Sequence, residues 1–160
     1  MKKVLLICVV AIASASVANA QTSAGSIMLG GAVDYTSTNQ ETPGDDVKSS
    51  EFSISPSVGY FVADNIAVGI DLSFISGKQG EDKFSGLAVG PFARYYAFTS
   101  NDKFAFTGTA GLLFGSGKSD PQIGNETKTG STTFYISPAF SYFFNEKWAL
   151  DFALQGIQYN

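Results

Sequence analysis

A tandem unit in the middle of the chain constrains its fold more than any other feature. Between Ser55 and Leu72, SPSVGYFVADNIAVGIDL, two alternating runs meet at Ala63, Asp64 and Asn65. The spacing of Pro56 to Tyr60 recurs at Pro91 to Tyr95 and at Pro138 to Tyr142, and each copy ends in an aromatic doublet: Tyr60-Phe61, Tyr95-Tyr96 or Tyr142-Phe143. A polar turn follows each doublet, and the chain then resumes as Ile66-Ala67-Val68, Phe104-Ala105-Phe106 or Trp148-Ala149-Leu150. A hairpin repeated in this way, with period-2 patterning inside each copy, predicts an all-β fold in which an up-and-down antiparallel sheet closes on itself.

The first twenty residues stand apart. Lys2 and Lys3 precede an apolar core from Val4 to about Ala13, then the small-residue site Ala18-Asn19-Ala20, the pattern of a secretory signal peptide. The apolar run is shorter than the roughly 20 residues of a membrane-spanning helix. Cys8 follows Leu6 and Ile7 too early for a lipoprotein anchor, and the chain has no other cysteine. The expected domains are therefore a leader over 1–20 and a barrel over 21–160, the latter with no disulfide and no thiolate site. Without Lys2 and Lys3, eight basic residues face 14 acidic ones, a formal charge of −6 that disfavours nucleic acid as a partner.

Seven strands are legible, near residues 26–36, 51–62, 66–74, 86–96, 104–114, 134–144 and 148–155. In each, apolar residues alternate with Ser, Thr, Gly and Ala. Their connections also alternate, short at 63–65, 99–103 and 145–147, long and polar at 37–50, 77–83 and 116–130. Outer-membrane barrels have short periplasmic turns and longer outer loops. Aromatic residues mark both rims of the apolar face: Tyr60, Tyr95, Phe104, Tyr142 and Trp148 beside the short turns, and Tyr35, Phe52, Phe74, Phe114 and Phe134 near the long loops. Rim residues eight positions apart, on strands tilted near 40°, enclose an apolar band of roughly 20 Å.

Alternation alone does not separate a membrane barrel from a soluble one, but charge placement does. A soluble barrel carries Lys and Glu along its outer strand faces. Here only Asp34, Asp71, Arg94 and Asp151 fall inside the strands, with Glu51 at a boundary, so hydrocarbon is expected around the apolar face and a narrow lumen behind the polar one. Isolated ions out of water cost several kcal/mol. Arg94, Asp71 and Asp151 lie at similar heights above the short turns, and a lumenal polar network of Arg94 with Asp71 or Asp151 is expected; individually hydrated side chains are the competing arrangement.

The segments SPSVGYFVADNIAVGIDLSF, GPFARYYAF and EKWALDFAL resemble the small outer-membrane β-barrel proteins labelled porin-family or OmpA/OmpX/OmpW-like, of the kind seen in Bacteroidota. The resemblance covers the chain from about Gly25 to its end and implies an eight-stranded barrel in the bacterial outer membrane. An eighth strand ending in an aromatic residue is not found by Asn160; unpaired edges are not tolerated in lipid, so either the barrel domain is C-terminally incomplete or it closes by another route.

Catalytic chemistry is sparse. The chain has no histidine, which excludes Ser-His and metal-imidazole sites. The acid pairs Asp45-Asp46 and Glu81-Asp82 lie in polar loops, where solvation is the simpler reading than calcium binding. GSGKS at Gly115–Ser119 lacks the first glycine of a phosphate loop, since position 112 is leucine, and the Asn125-Glu126-Thr127 sequon falls in an outer loop. No catalytic residue, cofactor or metal is expected. The expected function is a structural or interaction role in which loops 37–50, 77–83 and 116–130 meet an extracellular protein or surface ligand while the wall meets outer-membrane lipid. A narrow channel for small or apolar solutes is the alternative, ahead of an enzyme or a soluble lipocalin-like carrier.

Overall fold

The computed structural model describes residues 11–17, 22–42, 45–80, 82–120 and 127–159. These form nine strands: β1 Ala11–Val17, β2 Ile27–Thr42, β3 Asp45–Ala63, β4 Ile66–Gln79, β5 Asp82–Phe98, β6 Phe104–Asp120, β7 Thr127–Phe143, β8 Trp148–Ala153 and β9 Ile157–Tyr159. Every pairing is antiparallel between neighbours in the chain, except that β1 also pairs with β8 and β9 runs beside β7. The order β6-β5-β4-β3-β2-β1-β8-β7 returns to β6 through the β6–β7 ladder, giving an up-and-down barrel of eight rows.

The side chains face as alternation requires. Phe52, Leu72, Phe106 and Trp148 are 46%, 37%, 59% and 53% exposed on the outer wall, whereas the fully buried Phe61 and Met28 are 1% exposed inside. A continuous apolar surface of this extent is untenable in water and is what a bilayer requires.

Two expectations need correction. The segments 37–50, 77–83 and 116–130 are not mainly loops, because the ladders continue to Thr42↔Asp45, Gln79↔Asp82 and Ser119↔Thr127. Once a membrane-embedded ladder fixes register, adding polar pairs costs little further loop entropy, so the hairpins zip outward into water. Strands of 16, 19 and 17 residues therefore exceed the roughly 9–11 that span a bilayer. Second, the row between β2 and β8 is occupied by Ala11–Val17, with Val17↔Ile27 and Ala11↔Val33 on one side and Ala15↔Trp148 on the other. An alternating run finds ladder partners wherever an edge is open. This segment lies inside the expected leader; Lys2, Lys3, Cys8 and Ala18–Ala20 lie outside the described residues, as do Pro43, Gly44, Glu81, Asn125 and Glu126.

The run expected from Trp148 to Gln155 is interrupted after Ala153 and resumes as β9. The cause is local: a Cβ on Gly156 would stand 2.4 Å from the Ile136 carbonyl oxygen, so the two chains cross closely there. At the short-turn end, Asn65 takes a left-handed conformation (φ 67°) that closes the β3–β4 turn. Thr22 and Ala24 fold against that turn, the Asn65 N–H donating to the Thr22 carbonyl at 2.9 Å and the Ala24 N–H to Asp64 Oδ1 at 2.9 Å.

Candidate functional site in the barrel lumen

The doublets at the foot of each descending strand split between the two faces. Tyr60 and Tyr95 point outward, 50% and 56% exposed, while their successors Phe61 and Tyr96 are buried in the lumen. Phe143 does the same after Tyr142. Phe61 and Tyr96 pack at 5.8 Å between ring centroids, Tyr96 and Phe143 at 6.2 Å, and Phe98 and Phe143 at 5.4 Å. Met28, Phe92, Ala67, Ala105 and Ala149 complete the cluster, which lies at the short-turn end of the lumen.

A polar layer lies directly above. Arg94 Nη1 donates to Asp151 Oδ2 at 2.9 Å, a salt bridge whose side chains are 14% and 1% exposed. Arg94 Nε donates to Thr109 Oγ1 at 2.8 Å, and Nη1 reaches the Tyr96 hydroxyl at 3.5 Å. The second carboxylate oxygen of Asp151 accepts from Ser141 Oγ at 2.5 Å. Charge-assisted bonds with both partners fixed by ladders are the strong kind. Four consecutive strands supply these groups, β5, β6, β7 and β8, so the network ties the first of these rows to the last.

Of the charges expected in the lumen, the structure brings Arg94 and Asp151 together and gives Asp71 another partner, the Tyr135 hydroxyl, which donates to Asp71 Oδ2. Tyr135 in turn occupies the space left by Gly111, where a Cβ would stand 2.6 Å from its ring. Asp34, nearer the other rim, accepts from Thr36 Oγ1 at 3.2 Å. Tyr135→Phe removes a donor to a half-buried carboxylate and is expected to cost about 1–3 kcal/mol. The temperature at which the folded band disappears on a gel measures this; the lipid-facing control Tyr95→Phe is expected to leave it unmoved.

Sequence reasoning did not find Tyr135, Thr109 and Ser141 as partners. The signal was an aromatic among small residues on the lumenal face, Tyr135 between Thr133 and Ser137. Above the network the inward face carries Ser73, Ile75, Phe84, Gly86, Ala88, Gly115 and Gly117, which line a cavity of about 340 Å³.

The expected rim aromatics fall on the outer wall. Tyr35, Phe52, Phe74, Phe114 and Phe134 are exposed near the long hairpins, and Tyr60, Tyr95 and Trp148 near the short turns. Phe104 and Tyr142 shield one another there, 4.9 Å apart. Among the described residues, no group of three or more His, Cys, Asp or Glu is placed to hold a metal.

An apolar wall banded by aromatics, a continuous antiparallel ladder and a lumen lined by packed side chains define a small integral membrane barrel. The chain belongs to a recognised family: residues 5–160 match the outer membrane protein beta-barrel domain. It is thus an integral outer-membrane barrel protein, and the family implies a bacterial outer membrane as its location. Neither a curated protein nor a solved structure matches the chain.

Proposed function

We propose that the protein is a non-catalytic, sealed barrel whose role is structural or interactive, exercised through the hairpins β2–β3, β4–β5 and β6–β7 where they rise beyond the membrane. One observation carries this reading: the aromatic cluster of Phe61, Tyr96 and Phe143, with the Arg94–Asp151 bridge above it, obstructs the lumen at the short-turn end. Rings and a guanidinium held by neighbouring strands support a lumen closed to solutes. The cavity above them is a cup rather than a passage. Long ladders at the opposite rim support rigid, polar surfaces suited to contact a protein or surface ligand, with the short turns toward the periplasm.

Residues 1–20 serve as the secretory leader on this reading, and its removal would leave the edges of β2 and β8 to be paired by another strand. Planar-bilayer recording tests the sealed lumen. Reconstituted protein is expected to give no steady current, whereas a stable, reproducible conductance would favour the narrow channel and set this proposal aside.

A further inference from the structure

Eight rows leave an interior that side chains just fill, or that holds one small ligand. Near the short turns it is filled, by Met28, Phe61, Phe92, Tyr96 and Phe143. Farther along, β5 and β6 withhold their side chains: the inward positions are paired as Gly86↔Gly117 and Ala88↔Gly115. The cavity of about 340 Å³ occupies the space they vacate. Small residues alone make no site, but here two built walls flank them.

On the β4 side the wall is apolar. A Cβ on Gly77 would meet the Phe84 ring, and one on Gly86 would stand 2.8 Å from Ile75 Cγ2, so ring and branched side chain cover the β4–β5 ladder as one surface. On the β7 side the wall carries hydroxyls. Ser131 Oγ leans over Gly115, 2.7 Å from where a Cβ would stand, and Thr129 is the next inward residue beyond it. Between the walls Gly117 is bare, since a Cβ there would meet only the Ser85 carbonyl oxygen, at 3.7 Å. Ser119, Thr129 and Ser131 are exposed, so small molecules reach the cavity.

A mostly apolar cavity with a few convergent hydroxyls has the make-up of a small-molecule site. An apolar cavity of about 150 Å³ admits benzene, so this one has room for two fused rings. The Phe84 ring and the bare backbone at Gly117 favour a flat molecule that stacks, and the hydroxyls favour a polar substituent on it. Charge sets a further limit. Glu51 pairs with Gly77, and Asp34 with Ser53, itself paired with Ile75, so both acids face the same lumen. Asp71, the next inward residue below Ser73, is engaged by Tyr135, and Arg94 is bridged to Asp151. An anion entering the cup therefore meets a field of its own sign.

We infer that this lumenal cup binds a small, uncharged, planar aromatic molecule of two fused rings carrying a hydroxyl or similar group. The inference goes beyond the reading above and holds whether or not the base of the lumen is sealed: conductance tests the base, and saturable binding tests the cup.

The test titrates 2-naphthol into the folded full chain in zwitterionic nanodiscs and reads naphthol fluorescence, with empty nanodiscs subtracting partition into lipid. Saturable binding of one molecule per barrel is expected. Gly117→Phe, which places a ring in the bare space, is expected to weaken it by about tenfold or more, and Phe84→Ala severalfold through loss of the stacking face. Gly108→Phe, where a Cβ on the outer wall meets nothing within 4 Å, is expected to leave binding intact. 2-Naphthalenesulfonate is expected to bind about tenfold more weakly than 2-naphthol. Absence of a saturable component overturns the inference, as does undiminished binding in Gly117→Phe or equal binding of the sulfonate. An unchanged affinity in Phe84→Ala overturns it too, and that variant adds no bulk, so it decides the matter if Gly117→Phe does not fold. Tighter binding of 2-naphthylmethylammonium than of 2-naphthol also counts against it, because the lumenal acids and not the cup would then hold the ligand.

Discussion

Gly90→Ala is expected to abolish the folded barrel. At Gly90 a Cβ would stand 1.7 Å from the Leu112 carbonyl oxygen and 2.7 Å from its carbon, and both belong to the backbone of the adjoining strand. A flexible side chain could swing aside, but a paired strand cannot. The β5–β6 ladder already departs from regular pairing here, passing from Val89↔Phe114 to Phe92↔Gly111 with no pairing of Gly90 and Pro91 between them. Pro91 donates no hydrogen bond, which helps the two backbones to approach at this point. Expressed in envelopes or refolded in detergent, the variant is expected to show no heat-modifiable band. Gly108→Ala, where a Cβ meets nothing within 4 Å, is the matched control and is expected to fold like the parent. A normal folded band from Gly90→Ala would show that β5 and β6 do not approach as described.

Asp151→Leu is expected to lower the stability of the folded barrel by about 3–5 kcal/mol, because it leaves the Arg94 guanidinium in the lumen without its carboxylate. Ser141 loses its acceptor in the same step. Replacing both partners, Arg94→Met with Asp151→Leu, is expected to restore most of the loss, since an apolar pair of similar volume carries no stranded charge. Urea titration of the folded and unfolded gel bands separates these outcomes. If Asp151→Leu melts at the parent's urea concentration, the bridge contributes nothing and the two ions are individually hydrated. Tyr135→Phe, acting on the Asp71 pair, is expected to add to these effects only partly, because Asp71 and Arg94 share one lumen.

The extent of the hairpins illustrates where composition misleads. Residues such as Ser49, Ser50, Lys78 and Ser119 look like loop, yet all stand in paired ladders. Their pairing is not driven by their own propensity. It follows from strands whose register the membrane segment has already set, so the reading of the outer loops as long and irregular lacked the one fact that decides it. The lumenal partners illustrate the same limit. Arg94 and Asp151 are 57 residues apart in the chain, and what brings them within a hydrogen bond is the curvature of the sheet across β5 to β8 rather than any local signal.

The order of apolar and small residues determined, without coordinates, that the chain forms antiparallel strands, that Phe52, Leu72, Phe106 and Trp148 share one face, and that Asp71, Arg94 and Asp151 share the other. That much is local, since alternation along a strand depends only on backbone geometry. Only the tertiary structure decided that Asp151 takes Arg94 while Asp71 takes Tyr135, that Phe61, Tyr96 and Phe143 meet as a plug, and that Ala11–Val17 stands between β2 and β8. Those outcomes depend on shear and curvature, which set the height at which distant rows face one another across the lumen.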